Sequence, residues 1–121
     1  MVSADRTREL VEKAVLEHGM HTIKMKVSDG NAATWSQDVV RVQIARMTLG
    51  ALGVPGKIRI DVNGSWTLDQ ALERLVALND AANGLDYVEQ PVRTLAELKA
   101  LKDRLPEIKV AVDESIRQDG Q

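Results

Sequence analysis

The sequence predicts an α/β fold in which parallel strands alternate with helices, and three features of its 121 residues carry that prediction. Helical and strand-like segments alternate with a period of about thirty residues, the spacing of right-handed crossovers in a parallel sheet. The apolar side chains are aliphatic, since Trp35, Trp66 and Tyr87 are the only aromatic residues and phenylalanine is absent; this suits layers of Val, Ile, Leu and Ala between strands and helices. No linker or low-complexity run divides the chain, so residues 1–121 are expected to form a single domain.

The elements follow in order. Leu10, Val11, Ala14 and Val15 recur at helical spacing among charges between Ala4 and His18, and Gly19 supplies a stop. Thr22 to Val27 alternates as a strand does, and Ser28 to Ala33, with Asp29-Gly30, reads as a turn-rich loop. Val39, Val40, Val42, Ile44, Met47 and Leu49 mark a second helix from about Trp35 to Leu49, broken by Gly50, Gly53, Pro55 and Gly56. Lys57 to Val62 is strand-like, and a helix capped by Thr67 runs to Ala82 before Asn83-Gly84. Leu85 to Glu89 is a third strand. Thr94 and Glu97 have the spacing of a capping box, opening a helix to Leu105 ahead of Pro106, and Lys109 to Val112 is a fourth strand. Periodicity leaves open whether the sheet is doubly wound or closed as a barrel; an eight-stranded barrel takes about 250 residues, so this length would supply roughly half of one.

Sixteen Lys and Arg are scattered among eighteen Asp and Glu, for a formal net charge of -2. That balance offers no basic field for a phosphate backbone, so nucleic acid is not an expected partner. No run approaches the ~20 apolar residues of a membrane span, and the first residues carry no apolar signal core; a cytoplasmic location and no membrane partner are expected. The absence of cysteine excludes disulfides and thiolate metal sites.

Polar residues appear near the C-terminal ends of the strands, where a buried parallel strand would carry Val or Ile. Lys24 and Lys26 project to one face at i and i+2, and Arg59, Asp61 and Asn63 share a face by the same rule. Glu89 ends the third strand and Asp113 follows the fourth. Ligand sites of parallel α/β folds lie outside the carboxyl ends of the strands, so these groups are expected to converge. Asp61, Glu89 and Asp113 would supply hard oxygen ligands to Mg2+ or Mn2+; without a cation the lysines must neutralise them. Plainer readings exist for each residue alone: strand-end acids cap helices, and paired lysines guard an edge strand. Asp29-Gly30 and Asn63-Gly64 read as turns, His18 and His21 as surface residues, and Trp66 as a packing residue.

Four motifs in order, Lys24-Met-Lys26, Arg59-Ile-Asp61-Val-Asn63, Glu89-Gln-Pro91 and Asp113-Glu-Ser115, resemble the enolase superfamily in its muconate lactonizing enzyme subgroup. Within that subgroup the segments Asp61 to Trp66, Tyr87 to Pro91 and Asp113 to Arg117 are most similar to the actinobacterial o-succinylbenzoate synthase family. The resemblance implies a partial (β/α)8 TIM-type barrel, about strands two to five, with helices outside and with the capping domain and remaining strands absent. It further implies Asp61, Glu89 and Asp113 as metal ligands, Lys26 as the base that removes a substrate α-proton, and Lys24 as the neighbour whose like charge lowers that base's proton affinity. Arg59 and Asn63 would line the cavity that receives a small carboxylate substrate. The implied reaction class is Mg2+-dependent dehydration by a lyase; a dipeptide epimerase, an N-acylamino acid racemase or a non-catalytic α/β segment would carry the same motifs. Unpaired strand edges in such a partial barrel are expected to promote self-association and to leave the chain on its own inactive.

Overall fold

The computed structural model describes residues 3–27, 35–62 and 66–111. Its elements alternate as expected: α1 (Ala4–His18), β1 (Thr22–Lys26), α2 (Trp35–Ala51), β2 (Lys57–Asp61), α3 (Leu68–Ala81), β3 (Tyr87–Glu89), α4 (Leu95–Arg104) and β4 (Val110–Ala111). The four strands form one sheet in the order β1-β2-β3-β4, each neighbour parallel to the next.

Local chemistry sets the helix ends. Ser3 accepts the Arg6 N–H at the start of α1, and Gly19, at φ 64°, takes the left-handed conformation that an L side chain resists while its turn caps the Ala14 and Val15 carbonyls. At α3 a full capping box forms: Gln70 N–H donates to the Thr67 hydroxyl at 3.2 Å, and Thr67 N–H donates to the Gln70 side-chain oxygen at 3.0 Å. The box expected at α4 takes a different form, in which Thr94 accepts the Glu97 N–H at 3.2 Å and its hydroxyl donates to the Glu97 carboxylate at 3.0 Å.

Two boundaries differ from the sequence reading by two residues, and several others by one. Helix α2 continues two residues past Leu49 to Ala51, because Gly50 is tolerated on an exposed helical turn. Strand β3 starts at Tyr87 rather than Leu85, because the Leu85 N–H is taken by the Asn79 side chain at 2.9 Å and Asp86 N–H makes the first bond to β2, at the Ile58 carbonyl. Of the fourth predicted strand, Val110 and Ala111 are paired; Val112 lies outside the described residues.

The two faces of the sheet have opposite character. Met25, Ile58, Ile60 and Val88 are buried on one face against Val42, Ala45 and Leu49 of α2, Ala71, Leu75 and Leu78 of α3, and Leu98 and Leu101 of α4, in one aliphatic cluster. Successive helices touch in chain order, α1 on α2, α2 on α3 and α3 on α4. The helices therefore line one side only, which is the winding of a (β/α) barrel and not of a doubly wound sheet. The other face presents Lys24, Lys26, Arg59, Asp61, Tyr87 and Glu89, none fully buried. Arg46 ties the opposite end together: its guanidinium donates to the Ala82 and Gly56 carbonyls at 2.5 and 2.6 Å.

Register at the start of β2 depends on Gly56. A Cβ there would lie 2.8 Å from the His21 carbonyl oxygen and 2.9 Å from both methyls of the fully buried Leu49. The carbonyl cannot give way, because it accepts the Lys57 N–H that starts β1–β2 pairing. Gly56→Ala is expected to destabilise the fold by about 1–3 kcal/mol, the scale of overpacking in a filled core; urea denaturation with an unchanged midpoint would refute this.

Candidate active site

Parallel pairing places the predicted residues in rows. Lys26 is the Cα partner of Asp61, Asp61 of Glu89, and Glu89 of Ala111. Neighbouring strands lie about 4.8 Å apart, so one ammonium and two carboxylates from three strands stand abreast at the C-terminal edge of the sheet. One step lower on the same face runs a second row, Lys24, Arg59 and Tyr87. Asn63 and Asp113 lie outside the described residues.

The second row supports the first. Lys24 Nζ lies 2.9 Å from Glu89 Oε2, reaching from β1 over β2 to β3. This pair, with the added fields of Asp61 and Tyr87, holds the Lys24 ammonium above the ordinary lysine range. A raised lysine stabilises the fold fully below its unfolded pKa, and the contribution disappears as pH climbs through the folded value. Lysine thus neutralises an acid of the row directly, as expected for converging carboxylates. Arg59 Nε lies 2.6 Å from Asp86 Oδ2, and its guanidinium stacks 4.5 Å from the Tyr87 ring centroid. The Tyr87 hydroxyl in turn donates to Glu89 Oε1 at 3.4 Å. Arg59 is therefore on the predicted face, with its charge committed to Asp86.

Backbone contacts hold the strand ends. Val27 N–H donates to the Asp61 carbonyl at 3.2 Å and Val62 N–H to the Glu89 carbonyl at 3.1 Å, so pairing continues past both acids. Gln90, immediately after Glu89, takes φ 45°, a left-handed conformation that costs a non-glycine residue about 1–2 kcal/mol. Its N–H donates to the Ala111 carbonyl at 2.9 Å, tying the turn after Glu89 to β4. On the β1 side, the Arg41 guanidinium pairs with the buried Asp38 carboxylate and donates to the Lys26 carbonyl at 3.3 Å.

Asp61 and Glu89 offer hard carboxylate oxygens from register partners on one face, a donor set that fits Mg2+ or Mn2+. No group of three or more His, Cys, Asp or Glu suited to a metal occurs among the described residues. Trp66 is buried at 1% exposure, as a packing residue, and the Arg74 guanidinium lies 5.5 Å from the Trp35 ring centroid and 5.8 Å from that of Trp66. His18 and His21 are exposed. Sequence reasoning missed Tyr87 and Asp86. The i, i+2 spacing of Tyr87 and Glu89 signals a shared face; Asp86 precedes the strand and carries no such mark.

A family model described as enolase C-terminal domain-like matches residues 6–119. The chain belongs to this family. Among curated enolase-family relatives, the o-succinylbenzoate synthase of Thermobifida fusca (strain YX) is 40% identical over 110 residues, 91% of this chain and 32% of the relative, and mycobacterial relatives at 37–39% identity bear the same name. The chain thus spans about a third of the length of the curated relatives it matches. Among solved structures, the substrate-liganded L-Ala-D/L-Glu epimerase of Bacillus subtilis superposes with a TM-score of 0.77 at 30% identity, over 96% of this chain and 31% of that one. A racemase from Streptomyces coelicolor A3(2) with bound magnesium superposes with a TM-score of 0.72 at 27% identity, over 91% and 29%. No helix among the described residues is long and apolar enough to cross a membrane.

The Arg59 pair makes stability depend on acid. The Arg59 guanidinium holds the Asp86 carboxyl below the usual carboxylate range, so its contribution is present above the unfolded pKa of about 3.9 and is lost as pH falls through the lower folded value. Asp86→Asn is expected to be less stable than the parent at pH 7, with the gap closing below about pH 4. Thermal melts whose gap stays constant from pH 7 to pH 2 would contradict the pairing.

Proposed function

We propose that the protein carrying this chain is a cytoplasmic o-succinylbenzoate synthase of menaquinone biosynthesis, a lyase that dehydrates 2-succinyl-6-hydroxy-2,4-cyclohexadiene-1-carboxylate. The observation that carries this reading is the strand-register row of Lys26, Asp61 and Glu89, an amine beside two acids at the carboxyl ends of parallel strands. The name shared by the curated relatives at 37–40% identity supports the choice of reaction.

Asp61 and Glu89, joined by Asp113, would hold Mg2+ or Mn2+. When bound, such a cation supplies Lewis-acid stabilisation of negative charge developing on the substrate carboxylate. Lys26 acts as the base: its amine takes the α-proton, and the C–H electron pair moves onto the carboxylate group. As that pair returns to form the ring double bond, the C–O bond breaks, the Lys26 ammonium protonates the departing hydroxyl, and water leaves. Lys24, in contact with Glu89 in this structure, would release that carboxylate to a bound cation while remaining beside Lys26 on the same face. Asn63 and the Arg59 row would line the substrate pocket.

A second reading, epimerisation of a dipeptide or racemisation of an N-acylamino acid, has support in the likeness to the Bacillus subtilis epimerase at 30% identity. The same amine and acids would serve it, because both reactions begin by removing a proton next to a carboxylate.

A chimera separates the readings: residues 6–119 replace the matching third of the Thermobifida fusca synthase. With Mg2+ the chimera is expected to dehydrate the cyclohexadiene substrate, and Lys26→Ala within it to lower kcat by about 10²–10⁴-fold. Equal turnover by both proteins removes Lys26 as the base, and epimerisation of L-Ala-Glu without dehydration favours the second reading.

A further inference from the structure

Glu89 meets a donor at each carboxylate oxygen, and both donors come from the row beneath it. The Lys24 ammonium is 2.9 Å from Oε2 and the Tyr87 hydroxyl is 3.4 Å from Oε1. The terminal torsion of a glutamate is otherwise broad, so two donors on opposite oxygens narrow the plane of the carboxylate. The 3.4 Å contact is long for a hydroxyl and a carboxylate, and the ring that carries the hydroxyl is itself braced. The Arg59 guanidinium lies 4.5 Å from the ring centroid and is itself anchored to Asp86 at 2.6 Å. The ring therefore meets a fixed cation through its face and Glu89 through its hydroxyl.

The two donors differ in one respect that matters for a cation. An ammonium brings a full positive charge and competes with a metal for the same carboxylate. A hydroxyl brings no formal charge, so it can hold one oxygen while the other is used. Hydrogen bonds of this kind behind a ligating carboxylate fix its orientation, and their loss commonly weakens metal affinity by about 10–100-fold.

We propose that Tyr87, braced by Arg59 and Asp86, is a positioning residue that sets the carboxylate of Glu89 for a divalent cation. This inference rests on the metal reading of Asp61 and Glu89. Its substrate-independent readout is Mn2+ binding to the full 121-residue chain, followed by loss of the free-ion electron paramagnetic resonance signal.

Tyr87→Phe keeps the ring and its stacking on Arg59 and removes only the hydroxyl. It is expected to melt with the parent in the absence of metal and to bind Mn2+ about tenfold more weakly. Glu89→Gln serves as the reference, with a larger loss. Unchanged Mn2+ affinity in Tyr87→Phe, beside a clear loss in Glu89→Gln, overturns the positioning role and leaves the metal reading standing. A parent that binds no Mn2+, or a Glu89→Gln variant that binds like the parent, overturns both. If Tyr87→Phe loses affinity together with several degrees of metal-free melting temperature, the residue supports the fold and not the carboxylate, and the inference is likewise overturned.

Discussion

Parallel register is the constraint on which this molecule depends. Lys26, Asp61 and Glu89 stand in one row because each is the Cα partner of the next, and a strand slipped by one residue would turn its polar group into the aliphatic layer and expose Ile60 or Val88 in exchange. The register is held from both ends. At the start of β2, Gly56 lets the chain pass close to His21 so that Lys57 can pair; at the far end, the bonds of Val27 to Asp61 and of Val62 to Glu89 carry pairing past the acids.

Charge on the polar face follows from that geometry. Ionised side chains on adjacent parallel strands are forced close together, and they are tolerable only in opposite-sign contact or in water. Both solutions are present. Lys24 spans the sheet to Glu89 while remaining half exposed, and Arg59 is closed between Asp86 and the Tyr87 ring. Partial exposure keeps desolvation small, so the pairs contribute mainly to the orientation of the side chains in the row. The left-handed Gln90 beside Glu89 is a further local cost, placed where strained backbone commonly accompanies function.

Much of the candidate site was legible in the sequence because strand periodicity is a rule of two. Lys24 with Lys26, and Arg59 with Asp61, were assigned to shared faces by spacing alone, and the structure places all four, with Glu89, on the same side. The same rule reached Tyr87 but gave no reason to notice it, since a lone tyrosine in a strand reads as packing. Asp86 was out of reach, because its role comes from Arg59, twenty-seven residues earlier in the chain. The pair of Arg41 with the buried Asp38 carboxylate was not read from the sequence, and its contact with the Lys26 carbonyl joins two elements and has no trace in either segment.

By itself the sequence determined the alternation of helices and strands, the caps at Thr67 and Thr94, and the face on which each polar strand residue lies. These are properties of periods and termini, decided within a few residues along the chain. Only the tertiary structure decided the winding. A doubly wound sheet and a barrel share the same α/β alternation, and they differ in whether every crossover steps in one direction. Here the strands run in chain order and helices α1 to α4 pack side by side on one face, which leaves the other face free for the polar rows. The lateral contacts that build the site, Lys24 to Glu89 and Arg59 to Asp86 and Tyr87, exist only once that stacking has fixed which strands are neighbours.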